Sequence, residues 1–100
     1  MFDKELEMTS DEVIDYIKNN VAEFDKVAIS YNRVSAKGDF LGIDNSDVRG
    51  KKACNIMIAL DGEVISDVIE VDLEEYKEDI IEFSHYPKDE SKDSVYIEVL

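Results

Sequence analysis

The chain holds 100 residues, and Leu, Ile, Val and Phe supply 30 of them, enough for one small packed core and above the level at which strongly charged chains stay disordered. Its 25 acids against 11 bases give a formal net charge of −14, which argues against nucleic acid or an anionic membrane as a ligand, because both are recognised through clustered cations. No apolar run approaches the roughly 20 residues of a membrane span, the acidic opening MFDKELEM is unlike a secretory signal, and Cys54 stands alone, so the expectation is one cytoplasmic domain over residues 1 to 100 without disulfides.

The first predicted element is a helix from about 10 to 24. Thr9 and Glu12 have the spacing of a reciprocal cap at a helix start, and Val13, Ile14, Ile17, Val21 and Phe24 then recur on one helical face. The segment 26 to 34 changes to period two, with Val27, Ile29 and Tyr31 on one side, and predicts a half-buried strand. Glycine, Asn45, Ser46 and Asp47 make 35 to 51 a turn-rich loop, with SAKG as a hairpin turn and a short strand at DFLGI. KACNIMIAL predicts a strand, and Asp61-Gly62 then reads as a two-residue hairpin leading into EVISDVIEV. That register sets Ile65 opposite Ile58 and Ile69 opposite Cys54, and it places Asp67 opposite Ile56, so either a bulge turns the carboxylate outward or it sits at a sheet margin. In DLEEYKEDIIEF the spacing of Leu73, Tyr76, Ile80 and Phe83 predicts a second helix. SHYPKDESKD reads as a polar turn, and SVYIEVL as a final strand with an edge open to a second copy. The expected architecture is α+β in the order αβββαβ: an antiparallel sheet of three to four strands with two helices packed on one face.

The charge is uneven. Residues 1 to 60 carry 11 acids against 8 bases, whereas residues 61 to 100 carry 14 against 3. The basic residues gather only at Arg49 to Lys52. No catalytic or metal motif stands out. His85 has no second histidine or nucleophile motif beside it, Cys54 lies in an apolar run, and DNSDVRG lacks the later ligands of a calcium loop. The chain is therefore expected to be a non-catalytic protein with no cofactor and no metal. The candidate site is its acidic segment, with Asp67, Glu70, Asp72, Glu74, Glu75, Glu78, Asp79 and Glu82 as partner-binding residues. Like charges at helical spacing repel, and a chain that keeps them on an ordered element can use the field they create.

A short acidic chain of this order resembles the small phage-encoded anti-CRISPR proteins and other DNA mimics. The resemblance implies an inhibitor that lays its carboxylates in the basic cleft of a defence nuclease. The alternatives are an immunity protein or antitoxin against a basic toxin nuclease, or a non-catalytic accessory domain. The first two bind a basic protein surface, whereas an accessory domain predicts an exposed apolar patch and binding that salt hardly changes; the chain itself is expected to be a monomer or small homodimer.

Overall fold

The computed structural model describes residues 2–44, 54–61 and 67–100. Among them the elements run β1 (Lys4–Met8), α1 (Ser10–Asn20), β2 (Lys26–Tyr31), β3 (Val34–Asp44), β4 (Asn55–Leu60), β5 (Val68–Asp72), β6 (Ile80–Tyr86) and β7 (Val95–Val99). The strands form one seven-stranded sheet in the order β1-β7-β6-β2-β3-β4-β5. β1 lies parallel to β7, and every other pair is antiparallel.

The expected three- or four-stranded sheet under two helices is therefore wrong. One helix and a larger, mixed sheet build the described residues. α1 begins as the sequence predicts: the Thr9 hydroxyl accepts from the Glu12 amide at 3.3 Å and the Glu12 carboxylate accepts from the Thr9 amide at 3.1 Å. It stops at Asn20, with Val21 already extended, and Phe24 turns the chain at φ 73° into β2.

The segment 73 to 83 is not a helix. Leu73 to Asp79 form successive turns that link β5 to β6, and β6 then fills an interior place between β2 and β7. Ile80, Ile81 and Phe83 favour a pleated strand, while Glu74, Glu75, Glu78 and Asp79 would repel one another along a helix, so tertiary pairing overrides the three-and-four spacing. Leu73, Ile80 and Phe83 are still buried, as expected of an apolar face.

Two turns also fall elsewhere. SAKG lies inside β3, and the hairpin turns at Asn32 and Arg33, where Asn32 adopts φ 53°; asparagine accepts that left-handed backbone better than most residues. β4 and β5 pair as expected but in a different register, with Ile58 opposite Ile69 and Ile56 opposite Val71. The conflict of Asp67 with Ile56 thus does not arise, since Val71 stands opposite Ile56 and Asp67 precedes β5. Gly62, the calcium-like stretch beyond Asp44 and the basic island at Arg49 to Lys52 lie outside the described residues. β7 is no edge: β1 covers it, through a strand whose alternation of glutamate with Leu6 and Met8 hid it in the acidic opening.

The core lies between the inner face of the sheet and α1. Val13, Ile14 and Ile17 of the helix pack with Val27, Ile29, Phe40, Ile56, Ile58, Val71, Phe83, Val95 and Ile97. Cys54 is fully buried among them. Burial pushes its thiol up, away from the reactive thiolate. No helix among the described residues is long and apolar enough to cross a membrane.

Candidate functional site

Alternation decides what each strand shows to water. In β1, β7 and β6 the inward set is Leu6, Met8, Ile97, Phe83 and His85, so Glu5, Glu7, Tyr96, Glu98, Glu82 and Ser84 fall on the outer face. Register then aligns them. Glu7 stands opposite Glu98, and Glu98 opposite Glu82, a row of three carboxylates across three neighbouring strands. Like charges directly opposite one another destabilise a sheet by a few tenths of a kcal/mol or more per pair. None of the three, nor Glu5 in the next row, has an ion-pair partner among the described residues.

Aromatic rings stand beside this row. The Phe2 ring lies 5.1 Å from that of Tyr86 and 5.4 Å from that of Tyr96. The Lys37 ammonium sits 5.8 Å above Tyr86, so the cluster already attracts one cation by its ring face. The Tyr96 hydroxyl donates to Glu82 at 2.6 Å. That hydrogen bond, with burial and the fields of Glu82, Glu98 and Glu5, pushes the phenol up to about 12. Glu5, Leu6, Glu7, Tyr96 and Glu98 line a shallow groove of about 260 Å³ at the β1 edge.

The carboxylates singled out from sequence do not form one surface. Asp67 precedes β5 and Glu70 lies on it, both exposed at the far edge of the sheet. Asp72 is taken by structure: its carboxylate accepts from the amides of Cys54, Glu74 and Glu75 at 3.3, 3.0 and 3.4 Å. Glu74 pairs with Lys77 at 3.5 Å, and Lys77 also reaches Asp11 at 3.3 Å. Glu75, Glu78 and Asp79 project from the turns between β5 and β6. Of the eight, Glu82 alone joins the outer row. Glu5, Glu7 and Glu98 were missed, although the period-two alternation of KELEM and SVYIEVL carried the signal.

A second polar constellation is buried on the other side of the sheet. His85 of β6 donates from Nε2 to the Asp25 carboxylate at 2.7 Å, and its Nδ1 lies 2.8 Å from the Tyr16 hydroxyl of α1. Asp25 also accepts from the Ala22 amide at 2.9 Å and the Lys88 amide at 3.1 Å. Burial alone would raise the Asp25 carboxyl, but the His85 hydrogen bond and the two backbone amides together hold it below its ordinary value. An ionised Asp25 can only accept, so Nε2 carries the hydrogen, and in the neutral ring Nδ1 accepts from Tyr16. Burial raises the Tyr16 phenol, with the Asp25 charge adding to the effect. No local motif announces this trio, because its members come from a helix, a turn and a strand. Among the described residues no three His, Cys, Asp or Glu side chains are placed to hold a metal ion.

These features define a sheet-dominated domain with a carboxylate and aromatic patch on one face and a buried aspartate, histidine and tyrosine on the other. The chain belongs to the family described as an uncharacterized protein conserved in archaea (DUF2097), whose model matches residues 4–97. Membership of an archaeal family, together with the observed fold, overturns the likeness to phage anti-CRISPR proteins and DNA mimics: the acidic segment expected to be a helix is a set of turns and a strand. No curated protein and no solved structure matches the chain.

Proposed function

We propose that the chain is a non-catalytic binding domain whose outer face at the β1 edge engages a basic surface of a protein partner. The observation that carries this reading is the in-register row of Glu7, Glu98 and Glu82 beside the Phe2, Tyr86 and Tyr96 rings. Repulsion across three strands is a standing cost that an isolated fold gains nothing from, and it vanishes when lysine or arginine side chains enter the row. The rings add a planar face for the same cations, and arginine in particular stacks well on it. The proposal covers inhibitors and accessory subunits alike, since both work by occupying a basic surface inside the cell.

The test is a triple reversal, Glu5→Lys, Glu7→Lys and Glu98→Lys, at positions exposed in the fold. Wild-type protein captures a basic partner at low salt, releases it at high salt as expected of charge pairs, and the reversed protein captures none of it while keeping its circular dichroism. A folded triple variant that retains the same partner at the same salt would refute the reading.

A further inference from the structure

Away from the outer patch, a cleft of about 390 Å³ opens between the second half of α1, the inner side of β1 and β7, and the loop from β6 to β7. Its size suits a small molecule. Its walls differ in chemistry with the element that supplies them. α1 contributes Tyr16 and, in its last turn, Asn19 and Asn20, with His85 from β6 beside them. β1 and the loop from β6 to β7 contribute Lys4, Lys92 and Asp93.

The helix end is an acceptor surface. The side-chain amides of Asn19 and Asn20 each donate one N–H to the carbonyls of Asp15 and Tyr16, at 2.8 and 3.1 Å, which holds the two side chains in place and leaves each oxygen as an acceptor beside one remaining N–H. With the His85 ring neutral, the Tyr16 hydroxyl gives its hydrogen to Nδ1 at 2.8 Å, and its oxygen keeps lone pairs free to accept. The terminal carbonyls of α1 add the negative end of the helix dipole. The wall from β1 and the β6–β7 loop is cationic. Lys4 pairs with Asp93 at 3.5 Å, and that contact occupies the one acid of the cleft wall. Lys92 has no ion pair among the described residues, in a chain whose acids outnumber its bases more than twofold.

From this polarity we infer that the cleft binds a small zwitterion of the free amino-acid class. The ligand's carboxylate meets the Lys92 ammonium, with Lys4 beside it, and its ammonium meets the oxygens of Tyr16, Asn19 and Asn20. A simple anion would leave the acceptor end unmatched and would meet the wrong end of the helix dipole. A simple cation would leave Lys92 unmatched. The buried Asp25–His85 pair serves as a positioning device: it fixes the direction of the Tyr16 hydroxyl hydrogen and so keeps the oxygen an acceptor. This site is independent of the partner-binding face, which lies on the opposite side of the sheet.

The test titrates the full chain with each common L-amino acid, following backbone amide signals by NMR. The controls are the matching carboxylic acids without the amino group and the matching amines without the carboxylate. The expected result is saturable shifts at Tyr16, Asn19, Asn20 and Lys92 with at least one amino acid in the millimolar range or tighter, and weak or no shifts with either control. Lys92→Met should weaken that binding about tenfold, the loss of one hydrogen bond to a charged group. Tyr16→Phe should weaken it too, without changing the affinity for the carboxylic-acid control. Three outcomes overturn the inference: no amino acid shifts these signals, a control binds as well as the amino acid, or the folded Lys92→Met protein binds unchanged.

Discussion

Asp25 offers the sharpest check on the energetics of the fold. Its carboxylate is 3 % exposed and satisfies three donors, the Nε2–H of His85 and the amides of Ala22 and Lys88. Asp25→Ala strands all three. His85 is itself 3 % exposed, so its orphaned N–H bears the full desolvation cost of about 2–3 kcal/mol. Ala22 and Lys88 are exposed residues whose amides can turn to water, at about 0.5–1 kcal/mol each. The total of roughly 3–5 kcal/mol is a large share of the 5–15 kcal/mol that ordinarily separates folded from unfolded domains, with the usual scale being about 0.1 kcal/mol per residue. Asp25→Asn should cost less, about 1–2 kcal/mol: the ring can exchange tautomers and accept from the new amide, leaving mainly the amide facing Ala22 unmatched. Urea unfolding followed by circular dichroism measures both. At an m-value of about 1.5 kcal/mol/M, the alanine variant should lose at least about 2 M in midpoint. The folded carboxyl is held low, so the stabilisation it supplies is present above its unfolded value of 3.8 and is lost as pH falls through the lower folded value. The alanine variant should lack that acid-side decline. A midpoint within about 0.3 M of wild type, or an asparagine variant less stable than the alanine one, would show the reasoning to be wrong.

Other outcomes follow from single contacts. Gly38→Ala would drive its new Cβ into the Ala59 carbonyl oxygen, with Leu60 Cα at 2.9 Å; backbone cannot yield as a side chain can, so a loss above about 2 kcal/mol is expected in thermal unfolding. Thr9→Ala should cost about 1 kcal/mol by removing the cap of α1, and Thr9→Ser should restore most of it. Absorbance titration of tyrosinate should find one phenol at about 12, and Glu82→Gln should bring it down toward 10.0. Because that raised phenol favours the fold only while protonated, its contribution is full below 10.0 and falls away as pH rises toward about 12.

What could be read in the sequence was local. The reciprocal cap at Thr9 and Glu12 and the alternation of Val27 and Ile29 gave α1 and β2 within a few residues, because each signal is contained in the segment that it shapes. The acidic segment after β5 failed for the opposite reason. Its apolar spacing of Leu73, Tyr76, Ile80 and Phe83 fits a helix, and only the vacancy between β2 and β7, made by distant residues, decides that Ile80 to Tyr86 is a strand. The site suffered likewise. Glu82 was recognisable as an exposed acid, but its neighbours Glu98 and Glu7 come from strands at the two ends of the chain, and register alone brings them together. His85 looked like a turn residue beside Pro87, and nothing in its vicinity points to Asp25 sixty positions earlier.

The parallel pairing of β1 with β7 sets an order of events during synthesis. Lys4 meets Val95, and the amide of Leu100 donates to the carbonyl of Met8 at 2.9 Å, so β1 leaves the ribosome well before β7 and finds its neighbour only once β7 has emerged. Contacts of such wide sequence separation are slow to form, since a long loop must close before they return any energy. β2, β3 and β4 can pair as successive hairpins meanwhile. The β1 edge is then the final piece to be laid, and the carboxylate row of Glu7, Glu98 and Glu82 exists only in the finished molecule. A nascent or partly unfolded chain carries the same charges scattered, and would present no aligned row to the basic partner proposed above.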